Sequence, residues 1–125
     1  VIRIGEHRYE SSLAGEPREE EPHGFGWLGT LTLVVRRVGG AGALRIAFDG
    51  TSMGRDGAAG DVMRMGADGP EWLPLHATVV RRCFIEAALA AGWDGERDDT
   101  LDGWALYDDA LARIRAREPR PPTLS

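Results

Sequence analysis

The hydrophobic pattern of this chain changes period once, near Thr78, and that change governs what the chain can fold into. Before it, apolar residues alternate at steps of two, as on strands. After it, they recur at steps of three and four, as on helices. Phe25–Val38 is the clearest strand. Phe25, Trp27, Leu31, Leu33 and Val35 can face one side and Leu28, Thr30, Thr32 and Val34 the other, with frequent β-branched residues. Gly39-Gly40-Ala41-Gly42 reads as a hairpin loop, because glycine takes positive φ without strain, and Ala43–Phe48 returns as the antiparallel partner. Upstream, Ile2 and Ile4 flank Arg3 as on a half-buried strand. Ser11–Gly24 is expected to be a loop, broken by Gly15, Pro17, Pro22 and Gly24 and solvated by Glu16, Glu19, Glu20 and Glu21. Asp49–Gly60 is glycine-rich and expected to be irregular. Val62–Met65 suits a short strand and Gly66–Gly69 a turn. Trp72–Leu75 suits an extended piece that Pro70 and Pro74 confine to an edge.

Beyond the switch, Thr78 is expected to cap a helix over Val79–Ala91 that stops at Gly92. Val80, Cys83, Phe84, Ala87, Ala88 and Ala91 form its apolar stripe. Trp93, just past the stop, is placed to staple the helix end to the sheet. A second helix is expected from about Asp102 to Arg117, with Trp104, Tyr107, Leu111 and Ile114 on one face. Acids stand at its start (Asp98, Asp99, Asp102) and bases at its end (Arg113, Arg115, Arg117), as the helix dipole favours. Pro119, Pro121 and Pro122 end it, and residues 119–125 read as a mobile tail. Strands first and helices last predict an α+β fold. It would be an antiparallel meander of four or five strands with two C-terminal helices on one face, forming a single domain over residues 1–118.

The length of 125 residues fits one domain. All basic residues are arginine, so Schiff-base chemistry and phosphate-loop lysines are excluded. The net charge of -5 disfavours nucleic acid as a partner. One cysteine, Cys83, permits no internal disulfide; it lies on the apolar stripe and reads as a buried, inert thiol. No apolar run reaches the ~20 residues a bilayer span needs. Val1–Glu6 lacks the basic start and apolar stretch of a signal peptide. A cytoplasmic location without membrane association is therefore expected. The three histidines, His7, His23 and His76, show no ligand spacing, so no metal and no cofactor are expected.

Two glycine motifs match active-site patterns. Gly24-Phe25-Gly26-Trp27-Leu28-Gly29 fits G-x-G-x-x-G, but a strand follows where a dinucleotide site needs a helix. It reads instead as a strand start with a bulge or close packing. Gly50-Thr51-Ser52-Met53-Gly54 fits the hydrolase pattern G-x-S-x-G. In that alternative, a small hydrolase or ligand-binding domain uses the region from Asp49 to His76. Ser52 would be the nucleophile and His76 the base, oriented by Asp61 or Asp68. The poor helix former after Gly54 favours a plain glycine loop. Asp49, Asp56, Asp61 and Asp68 lack calcium-loop spacing. The four tryptophans are candidate anchors for the core or for an interface. Trp27 and Trp72 could line a surface groove, although the core is the favoured place for each, and Arg113 and Arg117 could dock a partner electrostatically.

The run Val79-Val80-Arg81-Arg82-Cys83-Phe84-Ile85-Glu86-Ala87-Ala88-Leu89-Ala90-Ala91-Gly92-Trp93-Asp94 opens on V-V-R and closes on I-E-x-A-L-x-x-G-W-D. With Thr78 before it, it resembles a helix near the C-terminus of many small bacterial α+β domains, some of them immunity-type proteins that bind and neutralise a toxin. The resemblance implies a closing helix of a compact domain and brings no catalytic residues. The function expected is a non-enzymatic interaction domain, immunity-type or homodimeric, whose partner is a protein, either a toxin or a second copy of itself.

Overall fold

A computed structural model describes residues 1–17, 27–53, 61–67 and 69–117. The elements are β1 (Ile2–Ile4), β2 (His7–Pro17), β3 (Trp27–Arg37), β4 (Ala43–Met53), β5 (Asp61–Gly66), β6 (Gly69–Pro74), α1 (Thr78–Ala90), β7 (Asp99–Asp102) and α2 (Gly103–Arg117). Strands β1 to β4 form an antiparallel meander, extended by β7 to the order β1-β2-β3-β4-β7; β5 and β6 make a separate hairpin. The fold is α+β, as the period switch implies.

The sheet is mixed rather than purely antiparallel, because β7 runs parallel to β4. A parallel neighbour needs a long crossover, and the β5–β6 hairpin and α1 supply it. The acidic stretch around Asp98 is thus not simply solvated. Leu101 stands beside Ile46, and the Asp98 carboxylate accepts the Ala43 amide at 2.8 Å.

The described parts of two segments expected to be irregular are strands, while residues 18–24 and 54–60 lie outside the described residues. β2 continues to Pro17, with Tyr9, Ser11 and Leu13 opposite Arg37, Val35 and Leu33. β4 continues to Met53 past a bulge: Thr30 faces Asp49 and Gly29 faces Thr51, leaving Gly50 without a partner. Glycine is favoured where a strand must kink in this way, and Thr30 Oγ1 donates to Asp49 across the bulge at 2.9 Å. Turn-forming composition is overridden in both strands by the ladder each makes with β3.

One face of the sheet carries the core. Leu31, Leu33 and Val35 of β3 and Leu44, Ile46 and Phe48 of β4 are buried with Val80, Cys83, Phe84 and Ile85 of α1 and Leu106, Tyr107 and Ile114 of α2. Full burial of each large apolar side chain is worth about 1.5–3 kcal/mol. On the other face Thr30, Thr32 and Val34 are half-buried and Ser12, Arg36 and Arg45 are exposed.

Thr78 does not cap α1. The cap position is Ala77, which makes no side-chain bond, and Thr78 is the first helical residue. At the other end Gly92 takes φ 112°, the left-handed conformation expected of the stop. The next residue pins the helix to the sheet as expected. The Trp93 amide donates to Ala88 O, its ring lies 6.1 Å from Tyr9, and its indole N–H donates to Arg97 O at 3.0 Å. α2 begins where the Asp102 carboxylate accepts the Trp104 amide at 3.0 Å. Among the described residues, no helix is long and apolar enough to cross a membrane. Residues 119–125 lie outside the described residues.

Candidate functional site

The β5–β6 hairpin buries Val62 and Leu73 and exposes Trp72. Strand alternation puts Val62, Leu73 and Arg64 on one side, and Val62 and Leu73 are buried in the core. Met63 is paired with Trp72 and Met65 with Pro70 on the other side. Trp72 is 52% exposed. Burying half an indole costs little for a core residue; leaving it in water sacrifices apolar contact, which is why exposed tryptophans concentrate at interfaces.

Arg64 fixes the hairpin to α2. Its guanidinium lies 4.0 Å above the Tyr107 ring, donates to Asp108 at 2.7 Å, and reaches Glu71 on the neighbouring strand at 3.3 Å. The hydrogen bond to Asp108 raises the Arg64 pKa further, so the cation is permanent. Tyr107 is fully buried, and among the described residues its hydroxyl has no hydrogen-bond partner; burial pushes its pKa up, only partly countered by Arg64. Tyr107 closes an aromatic row. Phe84 and Phe48 meet edge to face at 5.2 Å, as do Phe48 and Trp104, and Trp104 lies 5.8 Å from Tyr107. The Trp104 indole donates to Asp49 O at 2.9 Å. The hairpin therefore stands on a stiff support built from both helices and β4.

The residues singled out by sequence fall in different places. Ser52 is the penultimate residue of β4, paired with Leu28, and Gly54 with the residues up to Gly60 lies outside the described residues. His76 is exposed in the turn between β6 and α1. Asp61 opens β5 opposite Pro74, and Asp68 lies outside the described residues. Trp27 opens β3 opposite Met53. Arg113 pairs with Asp109 at 3.0 Å within α2. Arg117 crosses to α1 and binds Glu86 at 2.7 Å, with Arg82 on the same carboxylate at 3.6 Å. Both arginines thus have internal partners. Cys83 is buried, and burial pushes its thiol pKa up, with Glu86 adding to the effect. Among the described residues, no group of three or more His, Cys, Asp or Glu is placed to hold a metal ion. Arg64 was not singled out from sequence, because nothing in the spacing of residues 64 and 107 signals a contact made only when the hairpin folds onto α2. No family model, no curated protein and no solved structure matches this chain.

Proposed function

We propose that the protein is a non-enzymatic, cytoplasmic interaction domain of the immunity type that binds a basic protein partner through the Trp72 side of the β5–β6 hairpin. The observation that carries this is the half-exposed Trp72 on a hairpin held rigid by Arg64. A rigid aromatic loses little conformational entropy on binding, and tryptophan is enriched among residues that dominate interface energy. The whole chain carries -5, and net charge of that sign favours encounter with a basic partner and repels nucleic acid.

The test is a calorimetric titration of the chain with a toxin domain encoded beside its own gene. A saturable complex is expected, weakened about 30-fold by Trp72→Ala, the loss of one hot-spot residue. The absence of a complex, or an affinity indifferent to Trp72, overturns the proposal. Self-association lost in the same variant would reassign the patch to a homodimer.

A further inference from the structure

Strand β6 carries two prolines, and they fix which way its backbone points. It pairs with β5 in the register Asp61–Pro74, Met63–Trp72 and Met65–Pro70, with Val62–Leu73, Arg64–Glu71 and Gly66–Gly69 between them. Pairs along an antiparallel ladder alternate between those that exchange hydrogen bonds and those that do not. Proline has no N–H to exchange, so the pairs at Pro70 and Pro74 are of the second kind. The pair at Trp72, midway between them, is of that kind too. The backbone groups of Pro70, Trp72 and Pro74 therefore point away from β5, along the second edge of β6. One contact agrees: Pro74 O accepts the Ala77 amide at 3.1 Å. The edge thus presents carbonyls at Pro70 and Trp72 and a single N–H, that of Trp72. Among the described residues no strand other than β5 pairs with β6. The two missing donors also make this edge a poor template for an added strand, whatever chain supplies it. The Trp72 indole, 52% exposed, springs from the middle of the edge.

We infer that this edge is an arginine-recognition site, where an arginine side chain of the protein partner stacks on the Trp72 indole and donates to the carbonyls of Pro70 and Trp72. The inference rests on reading the Trp72 side of the hairpin as a docking surface, and it names the group that anchors the partner there. A guanidinium has five N–H donors and no acceptor, which matches an edge whose free groups are mostly acceptors. It is planar and weakly hydrated, so it stacks on an aromatic face while its rim donates in the plane. Tryptophan is the aromatic ring that holds a cation best. Carbonyls two residues apart on a strand lie about 6.8 Å from each other. A guanidinium with a hydrogen bond of about 2.9 Å on each side spans that distance. An ammonium lacks the planar fork, and a carboxylate would meet carbonyl oxygens and the negative face of the ring. The hairpin's own cation does not repel the newcomer. Arg64 is bonded by both Asp108 at 2.7 Å and Glu71 at 3.3 Å, two carboxylates against one guanidinium.

The probe is the blocked tripeptide acetyl-Gly-Arg-Gly-amide, titrated into the whole chain and followed by NMR. Saturable binding in the millimolar range is expected, with the Trp72 indole N–H signal moving. The carbonyl carbons of Pro70 and Trp72 shift downfield as they accept new hydrogen bonds, while that of Pro74, already bonded to Ala77, stays in place. Citrulline in place of arginine, equal in length but uncharged, weakens the probe at least fivefold, and lysine weakens it at least threefold. Trp72→Leu keeps an apolar side chain without the π-face and costs at least fivefold; should it unfold the chain, the contrast between arginine and citrulline on the parent protein stands alone. Equal binding of the arginine and citrulline probes, unmoved carbonyls at Pro70 and Trp72, or a Trp72→Leu protein that binds like the parent would each overturn the inference. The two proposals fail separately. A toxin domain that docks through Trp72, yet loses less than threefold when each of its arginines in turn is changed to glutamine, overturns the arginine anchor and leaves the docking surface. No complex with that domain, while the arginine probe behaves as stated, overturns the toxin partner alone.

Discussion

Gly103 of α2 lies close against Phe48 of β4, and replacing it by alanine should destabilise the protein. A Cβ there would lie 2.5 Å from one carbon of the Phe48 ring and 2.6 Å from two others. Carbon atoms rest at about 3.5–4.0 Å, so ring or helix must retreat by about 1 Å. Phe48 has no room to do so, being fully buried with Phe84 and Trp104 each 5.2 Å away. Overpacking of this kind costs about 1–3 kcal/mol. Against it stands the helix preference for alanine over glycine, at most about 1 kcal/mol. Gly103 has no positive φ, so no backbone strain confuses the result. The expected net loss is about 1–2 kcal/mol, read by urea unfolding, with a Tm lower by about 3–10 °C. Phe48→Leu should cost less in the Gly103→Ala background than in the parent, a positive coupling between neighbours. A Gly103→Ala protein as stable as the parent would refute the close contact of α2 with β4, and with it the support beneath the hairpin.

Arg64→Ala should lower stability by only about 1 kcal/mol, since its ion pairs are partly solvated and the ring contact adds a similar small amount. It should release the hairpin first, seen as faster amide exchange at Val62 and Leu73 with the β3 amides unchanged. Cys83 should resist thiol reagents in the native protein and react on unfolding, because burial raises its pKa. The same shift makes stability fall as pH rises. The native thiol keeps its proton while the unfolded thiol ionises, so the loss begins at the ordinary thiol range and grows until the raised native value is passed. Tyr9 and Tyr107, also raised by burial, extend the fall to higher pH. Denaturant midpoints between pH 7 and 10 should decline, and Cys83→Ala should flatten the lower part of that decline.

The parts legible in the sequence are those whose signal is local. The step-of-two pattern of Leu31, Leu33 and Val35 and its return at Leu44, Ile46 and Phe48 gave the central hairpin. The spacing of Val80, Cys83, Phe84 and Ala87 gave α1, and Gly92 its end, because each signal lies within one turn or one pleat. For Trp72 the residue type favoured the core, and its half-exposed position is set by how the hairpin packs. The parallel pairing of β7 with β4 was not legible. Its four residues gain their partner from a strand more than forty positions away, and acidic residues outside that partnership read as solvated. β2 and the end of β4 were masked by glycine, proline and glutamate, whose local preference for turns yields to a ladder only once β3 lies alongside. The seat of Arg64 over Tyr107 and the reach of Arg81 to Ser11 likewise belong to the tertiary structure alone. Composition and spacing determine which faces of a chain are apolar; which faces meet, and which are left uncovered, is settled by contacts between residues distant in sequence.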